Sequence, residues 1–168
     1  MVRITQATEH DFPHVRSLFL EYVQWLILMV ETIWEYPVAI TPVELVERDM
    51  ADVQKFLPPD GRLLLASDDS GVVGCACART IRLGLAEIKR VYVRPNGRSS
   101  GTGRALIQTM IADLRDAGYT TVRLDTTSFM AAAEKLYRSL GFQETAPYPE
   151  SEVPEHLRHH SIFMELSL

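Results

Sequence analysis

From Ala86 to Ile111 the chain passes without a break through AEIKRVYV, RPNGRSSGTG and RALIQTMI. The first stretch is rich in β-branched and aromatic residues and reads as a strand. After the loop, Leu106, Ile107, Met110, Ile111 and Leu114 recur at helical spacing. A strand that feeds a helix through glycines needs a sheet to belong to and a helix layer to cover it. Gly101 and Gly103 also strip side chains from the helix start, where unpaired N–H groups attract anions. This junction therefore constrains both the fold and the kind of ligand.

The rest of the chain supplies the sheet. Val2 to Ala7 alternates as a strand, and Thr8 or Asp11 caps a helix carrying Phe12, Val15, Leu18, Phe19, Tyr22, Leu26 and Met29. That helix stops or turns in the aromatic segment before Pro37. Thr41-Pro-Val-Glu44 is a capping box opening a second helix that carries Val46, Met50, Val53 and Leu57, broken by Pro58-Pro-Asp-Gly61. RLLLAS and VVGCACART follow as strands joined by the turn Asp68-Asp-Ser-Gly71. Gly118 stops the helix after the loop, TTVRLDT is a strand, FMAAAEKLYRSL a helix stopped by Gly141, and HSIFMELSL a closing strand. This order predicts α/β or α+β layering around one mixed sheet. At 168 residues a single domain is expected.

Composition narrows the function. Net charge −5 argues against nucleic acid, which is normally bound through a basic face. The most apolar run, Val23 to Val30, is too short to span a bilayer, and no apolar signal region opens the sequence, so a cytoplasmic protein is expected. Cys75 and Cys77, the only cysteines, share one face of a strand as small buried residues, with no second pair for zinc.

Which anion the loop holds is a separate question. A P-loop would place a lysine here, and the loop has none. A dinucleotide fingerprint would place a third glycine where Leu106 stands and its first directly after the strand, whereas Arg94 to Ser100 intervene. Asp125, at a strand end, does stand where a ribose-binding acid would, which keeps that reading open. A tight turn with no ligand is the plain alternative.

Two stretches together resemble the GNAT N-acetyltransferases. Arg98, Gly101 and Gly103 match that family's pyrophosphate loop, and AAEKLYRSLGF (Ala132 to Phe142) matches its later helix through Ala133, Leu136, Tyr137, Gly141 and Phe142. The resemblance implies a mixed, mostly antiparallel central sheet with helices on both faces, and acetyl-CoA as acyl donor. It implies an N-acetyltransferase that moves acetyl directly to a primary amine on a small molecule, amino acid or peptide in a ternary complex. Arg98, Ser99, Ser100, Gly101, Thr102, Gly103 and Arg104 would hold the diphosphate, while Val91, Tyr92, Val93, Met130 and Ala133 would meet the acetyl and pantetheine. Ser99 and Ser100 replace the more usual glycine and basic residue, and Met130 replaces an asparagine that contacts pantetheine.

The chemistry needs a base, since a lysine-like amine is mostly protonated at pH 7, an obstacle of about 4–5 kcal/mol. By resemblance Glu87 is the base and Tyr137 the acid beside the coenzyme sulfur. The plain readings are a strand glutamate paired with Lys89 or Arg90, and a half-buried aromatic on an amphipathic helix. For the acceptor, Tyr22, Trp25, Glu31, Tyr36 and Arg90 are the candidates, with core and solvated-face roles as the plain alternative. His156 to His160 lacks a carboxylate framework, so no metal is expected. Dimers are common in the family, making a homodimer one implied partner. A non-catalytic acyl-CoA-binding module of the same fold is the competing class.

Overall fold

The computed structural model describes residues 1–98 and 100–168. Its strands are β1 (Arg3–Gln6), β2 (Gly61–Asp68), β3 (Gly71–Arg82), β4 (Leu85–Val93), β5 (Thr121–Thr127), β6 (Gln143–Thr145) and β7 (Ser161–Ser167). They form one sheet in the order β1-β2-β3-β4-β5-β7-β6, antiparallel throughout except for β4 and β5. The helices are α1 (Phe12–Ile33), α2 (Pro42–Ala51), α3 (Thr102–Asp116) and α4 (Ala131–Ser139).

Local signals explain most boundaries. Thr41 Oγ1 accepts from the Glu44 N–H at 3.2 Å and Glu44 Oε2 accepts from the Thr41 N–H at 2.9 Å, so the capping box forms ahead of Pro42. Three expectations are corrected. The second helix ends at Ala51 and Val53–Phe56 forms a 3-10 turn. The helix expected from Phe129 starts at Ala131, which frees Phe129 for the loop. A short strand, β6, pairs with β7 where no strand was expected. Its three residues give periodicity too little to act on.

Each face of the sheet carries its own core. Under α3 and α4 lie Leu64, Ala78, Ile88, Leu106, Met110, Leu124 and Met164; under α1 and α2 lie Leu18, Phe19, Phe56, Leu63, Leu65, Cys75 and Cys77. Helices therefore cover both faces. Each fully buried Leu or Phe contributes about 1.5–3 kcal/mol.

Two irregularities in β4 position the site. Cys75 pairs with Tyr92 but Cys77 pairs with Lys89, so the strand bulges at Arg90 and Val91. Arg90 takes a left-handed φ of 53°, and its Nε reaches Asp49 Oδ2 on α2 at 2.7 Å in a mostly buried pair. The buried thiols of Cys75 and Cys77 donate to the Arg90 and Lys89 carbonyls at 3.5 and 3.2 Å. Burial pushes the Cys75 thiol up to about 12, which keeps it protonated for that bond. Secondly, β4 and β5 pair only from Leu85–Thr121 to Glu87–Arg123 and then separate.

Candidate active site

A cavity of about 520 Å³ occupies the gap between the separating strands. Its floor is Ile88 to Val93 of β4 with Leu124, Asp125 and Thr126 of β5. Having lost β5 as a neighbour, the facing edge of β4 leaves backbone groups for a ligand. Gly101 to Arg104 form one end, Met130 to Ala133 with Leu136 and Tyr137 form a wall, and Tyr22, Trp25 and Phe129 close over the other side.

The glycine end suits a diphosphate. Gly101 is the N-cap of α3 at φ 80°, and no side chain caps the first turn, which leaves the N–H groups of Thr102, Gly103 and Arg104 unbonded by a cap. A Cβ on Gly103 would meet nothing closer than Leu136 Cδ2 at 3.6 Å, so internal packing does not demand glycine there. Arg98 donates from Nε to the Val93 carbonyl at 2.9 Å and Arg104 bonds Ser139 Oγ at 2.7 Å, two cations that flank this end.

Of the residues expected to hold coenzyme, Val91, Tyr92, Val93, Arg98, Gly101, Thr102, Gly103, Arg104, Met130, Ala133 and Tyr137 line the cavity. Ser100 does not. Its hydroxyl donates to the Gly97 carbonyl at 2.8 Å and lies 2.7 Å from Thr102 Oγ1, which ties the loop to itself. Ser99 lies outside the described residues. Met130 Sδ accepts from Thr126 Oγ1 at 3.6 Å, so its place beside the cavity is fixed.

The acceptor candidates divide. Tyr22, Trp25 and Arg90 line the cavity, while Glu31 and Tyr36 do not. Glu31 accepts from the Val38 N–H at 3.3 Å and Tyr36 bonds His156 at 3.0 Å, so both fasten the chain after α1. Burial pushes the Tyr22 phenol up to about 12. The rings of Tyr92, Tyr22, Trp25, Phe129 and Trp34 follow one another at 5.5–6.4 Å, and Trp34 stacks on His160 at 4.5 Å. They form an aromatic arc from β4 over α1 to the loop after β5. No cluster of three metal-ligating side chains occurs among the described residues.

Glu87 and Tyr137 separate as well. Tyr137 is almost wholly buried, lines the cavity and packs edge-on against Phe142. Burial raises its pKa, so its hydroxyl stays protonated. Glu87 is fully buried and is not part of the cavity wall. Arg79 of β3 grips its Oε2 from Nε at 2.8 Å and Nη2 at 2.7 Å. The carboxylate on the wall is Asp125, where burial pushes the pKa above the ordinary aspartate value; Lys89 pulls against this, and Glu87 adds to it. Sequence reasoning weighed Asp125 only as a ribose ligand. Its position at the end of TTVRLD was visible, but the separation of β4 from β5 that opens a cavity beside it was not.

An acetyltransferase (GNAT) family model matches residues 26–142. An uncharacterized N-acetyltransferase of Schizosaccharomyces pombe is 33% identical over 130 residues, 76% of this chain and 79% of that one. A GCN5-related N-acetyltransferase from Kribbella flavida has a TM-score of 0.72 at 26% identity, over 99% of this chain and 98% of that one. An acetyltransferase from Salmonella typhimurium, solved with its cofactor acetyl-CoA, shares the fold with a TM-score of 0.69 at 23% identity, over 99% and 94% of the two chains.

Proposed function

The chain belongs to the acetyltransferase (GNAT) family, and on that premise we propose that it transfers acetyl from acetyl-CoA to a primary amine on a small molecule, amino acid or peptide, directly within a ternary complex. The observation that carries this is the cavity itself. It joins an uncapped helix N-terminus to a half-buried carboxylate and a buried phenol across the gap between β4 and β5. Acetyl-CoA supplies an acyl group activated as a thioester. The N–H groups of Thr102, Gly103 and Arg104 bind its diphosphate, and the free edge of β4 aligns the pantetheine arm and offers donors to the acyl oxygen.

Asp125 takes the proton of the incoming ammonium, directly or through one water. Its raised pKa makes it a better base than an exposed aspartate. As the neutral amine attacks and the C–S bond breaks, the second proton shed by nitrogen passes to the departing thiolate or to water, and Tyr137 hydrogen-bonds that sulfur. A phenol held above its usual pKa keeps its own proton rather than surrendering it to a thiolate of pKa about 8.5. The aromatic arc of Tyr22, Trp25 and Phe129 encloses the body of the amine and shields the reaction from water.

A thiol-release screen with acetyl-CoA over amino acids, polyamines, aminoglycosides and peptides tests the reading. Acceptor-dependent release of free thiol is expected. Acetyl-CoA that binds without release across the panel would favour a non-catalytic acyl-CoA-binding module instead. Stabilisation by NAD rather than acetyl-CoA would sink both.

A further inference from the structure

The segment between β6 and β7 lies against β3, β4 and β5 and is held there by side chains of those strands. Tyr148 is buried and its hydroxyl lies 3.4 Å from Glu87 Oε1, while the Arg123 guanidinium sits 5.0 Å over its ring. Arg79, besides gripping Glu87, donates from Nη2 to the Glu150 carbonyl at 3.0 Å and pairs through Nη1 with Glu152 at 3.2 Å. Ser151 donates from Oγ to Asp125 Oδ2 at 3.4 Å, and Glu152 pairs with Lys89. The strap from Tyr148 to Val153 therefore touches two charged groups of the cavity lining, Asp125 and Lys89.

Glu87 lies at the centre of this arrangement and has no direct role in the cavity. Its carboxylate orients the guanidinium that reaches the strap at two points, and it accepts from the strap's own tyrosine. Removing Glu87 takes away the buried partner that holds the guanidinium against β4 and leaves Arg79 tied only to the strap itself, through Glu152 and the Glu150 carbonyl, so the strap loses its anchor on the sheet. We propose that Glu87 is a positioning residue: with Arg79 and Tyr148 it fixes the strap so that Ser151 bonds Asp125 and Glu152 neutralises Lys89. It rests on the reading of Asp125 as the base, and it gives a strand glutamate a role that needs no contact with the amine. The 3.4 Å bond from Ser151 is long for a hydroxyl donor, so a small shift of the strap breaks it. The strap thus sets the hydrogen bonding of the base through a carboxylate outside the cavity.

The test compares two substitutions at a distance. In protein carrying 13C-labelled aspartate at fixed neutral pH, the Asp125 carboxyl resonance is assigned by its loss in Asp125→Asn. Ser151→Ala should move that resonance in the otherwise native chain. In a Glu87→Gln background Ser151→Ala should no longer move it, because the bond is already lost. Amide exchange over 148–153 should rise at least tenfold in Glu87→Gln, with acetyl-CoA affinity kept within twofold. The same Ser151→Ala shift in both backgrounds, or unchanged exchange over the strap, overturns the proposal. Arg79→Lys, which keeps a buried cation, should reproduce both effects and serves if Glu87→Gln does not fold. Neither readout needs turnover, so the result is separate from that of the amine screen.

Discussion

At the scale of single residues, the proposed chemistry depends on Asp125 and Tyr137. Asp125→Asn removes the base but also a charge that burial disfavours, so activity and stability should move in opposite directions. The folded-state pKa of Asp125 is raised above 3.8, so its ionisation costs stability above that folded value and nothing below 3.8. Asp125→Asn should therefore melt at the same or a higher temperature than the native chain at pH 7, an advantage that disappears on acidification. A lower melting temperature at pH 7 would mean that the carboxylate is held by favourable contacts instead. Tyr137→Phe keeps the ring packed on Phe142 and loses only the hydroxyl. Turnover should fall about 10- to 100-fold, the effect of a lost donor rather than a lost nucleophile, with acetyl-CoA affinity unchanged. Near-native turnover would remove the tyrosine from the reaction.

At the scale of elements, the bulge in β4 and the start of α3 make the site. Left-handed geometry at Arg90 costs about 1–2 kcal/mol, whereas losing one partner of a buried pair costs about 3–5. The second effect wins, so Arg90→Gly should destabilise the chain even though glycine suits φ 53°. Adding Asp49→Asn should recover most of the loss in a chemical-denaturation experiment; strictly additive losses would contradict the balance. Gly103→Ala probes the other element. The new methyl has room beside Leu136 and raises helix propensity by about 0.8–1 kcal/mol, so the fold should be slightly more stable. Acetyl-CoA affinity should fall at least tenfold because the methyl stands where the diphosphate meets the backbone. Unchanged affinity would move the diphosphate elsewhere.

These same elements mark what the sequence could convey. The capping box at Thr41, the turn at Asp68 to Gly71 and the glycine start of α3 are local, and each forms where its residues indicate. The bulge is not local. It puts a non-glycine residue at positive φ and depends on an aspartate 41 positions away in the chain. Glu87 carried a signal, a charge on a central strand, but its partner Arg79 and the strap come together only in three dimensions. Glu31 and Tyr36 lie among aromatic residues in sequence, yet Glu31 bonds the nearby Val38 N–H and Tyr36 bonds His156 from the far end of the chain, and neither lines the cavity.

At the scale of the whole molecule, two cores on opposite faces of one sheet hold the strands together below Glu87 and allow them to part above it. The cavity passes between the two helix layers, so groups from α1, α3 and α4 meet around it. Stability should depend on carboxylates that do not line the cavity. Hydrogen bonds from Arg94 hold Glu21 below its usual 4.5, and the Thr8 N–H holds Asp11 below 3.8. Groups with depressed folded pKa values stabilise the fold above the unfolded values and lose that contribution as pH falls through the folded ones. The urea midpoint should accordingly drop below about pH 4.5, and Glu21→Gln should flatten that drop; an unaltered acid limb would exclude the Glu21–Arg94 tie as its source.

The most direct measurement of the central claim is the pH dependence of acceptor kcat/KM in native and Asp125→Asn protein, using an amine identified by thiol release. The rate of the variant should lie roughly 100- to 10,000-fold below native at pH 7 and recover as pH approaches the amine's own pKa, where free amine no longer needs a base. A variant that keeps the native rate near neutrality, with the same pH profile, would contradict the assignment of proton removal to Asp125 and with it the chemistry placed in this cavity.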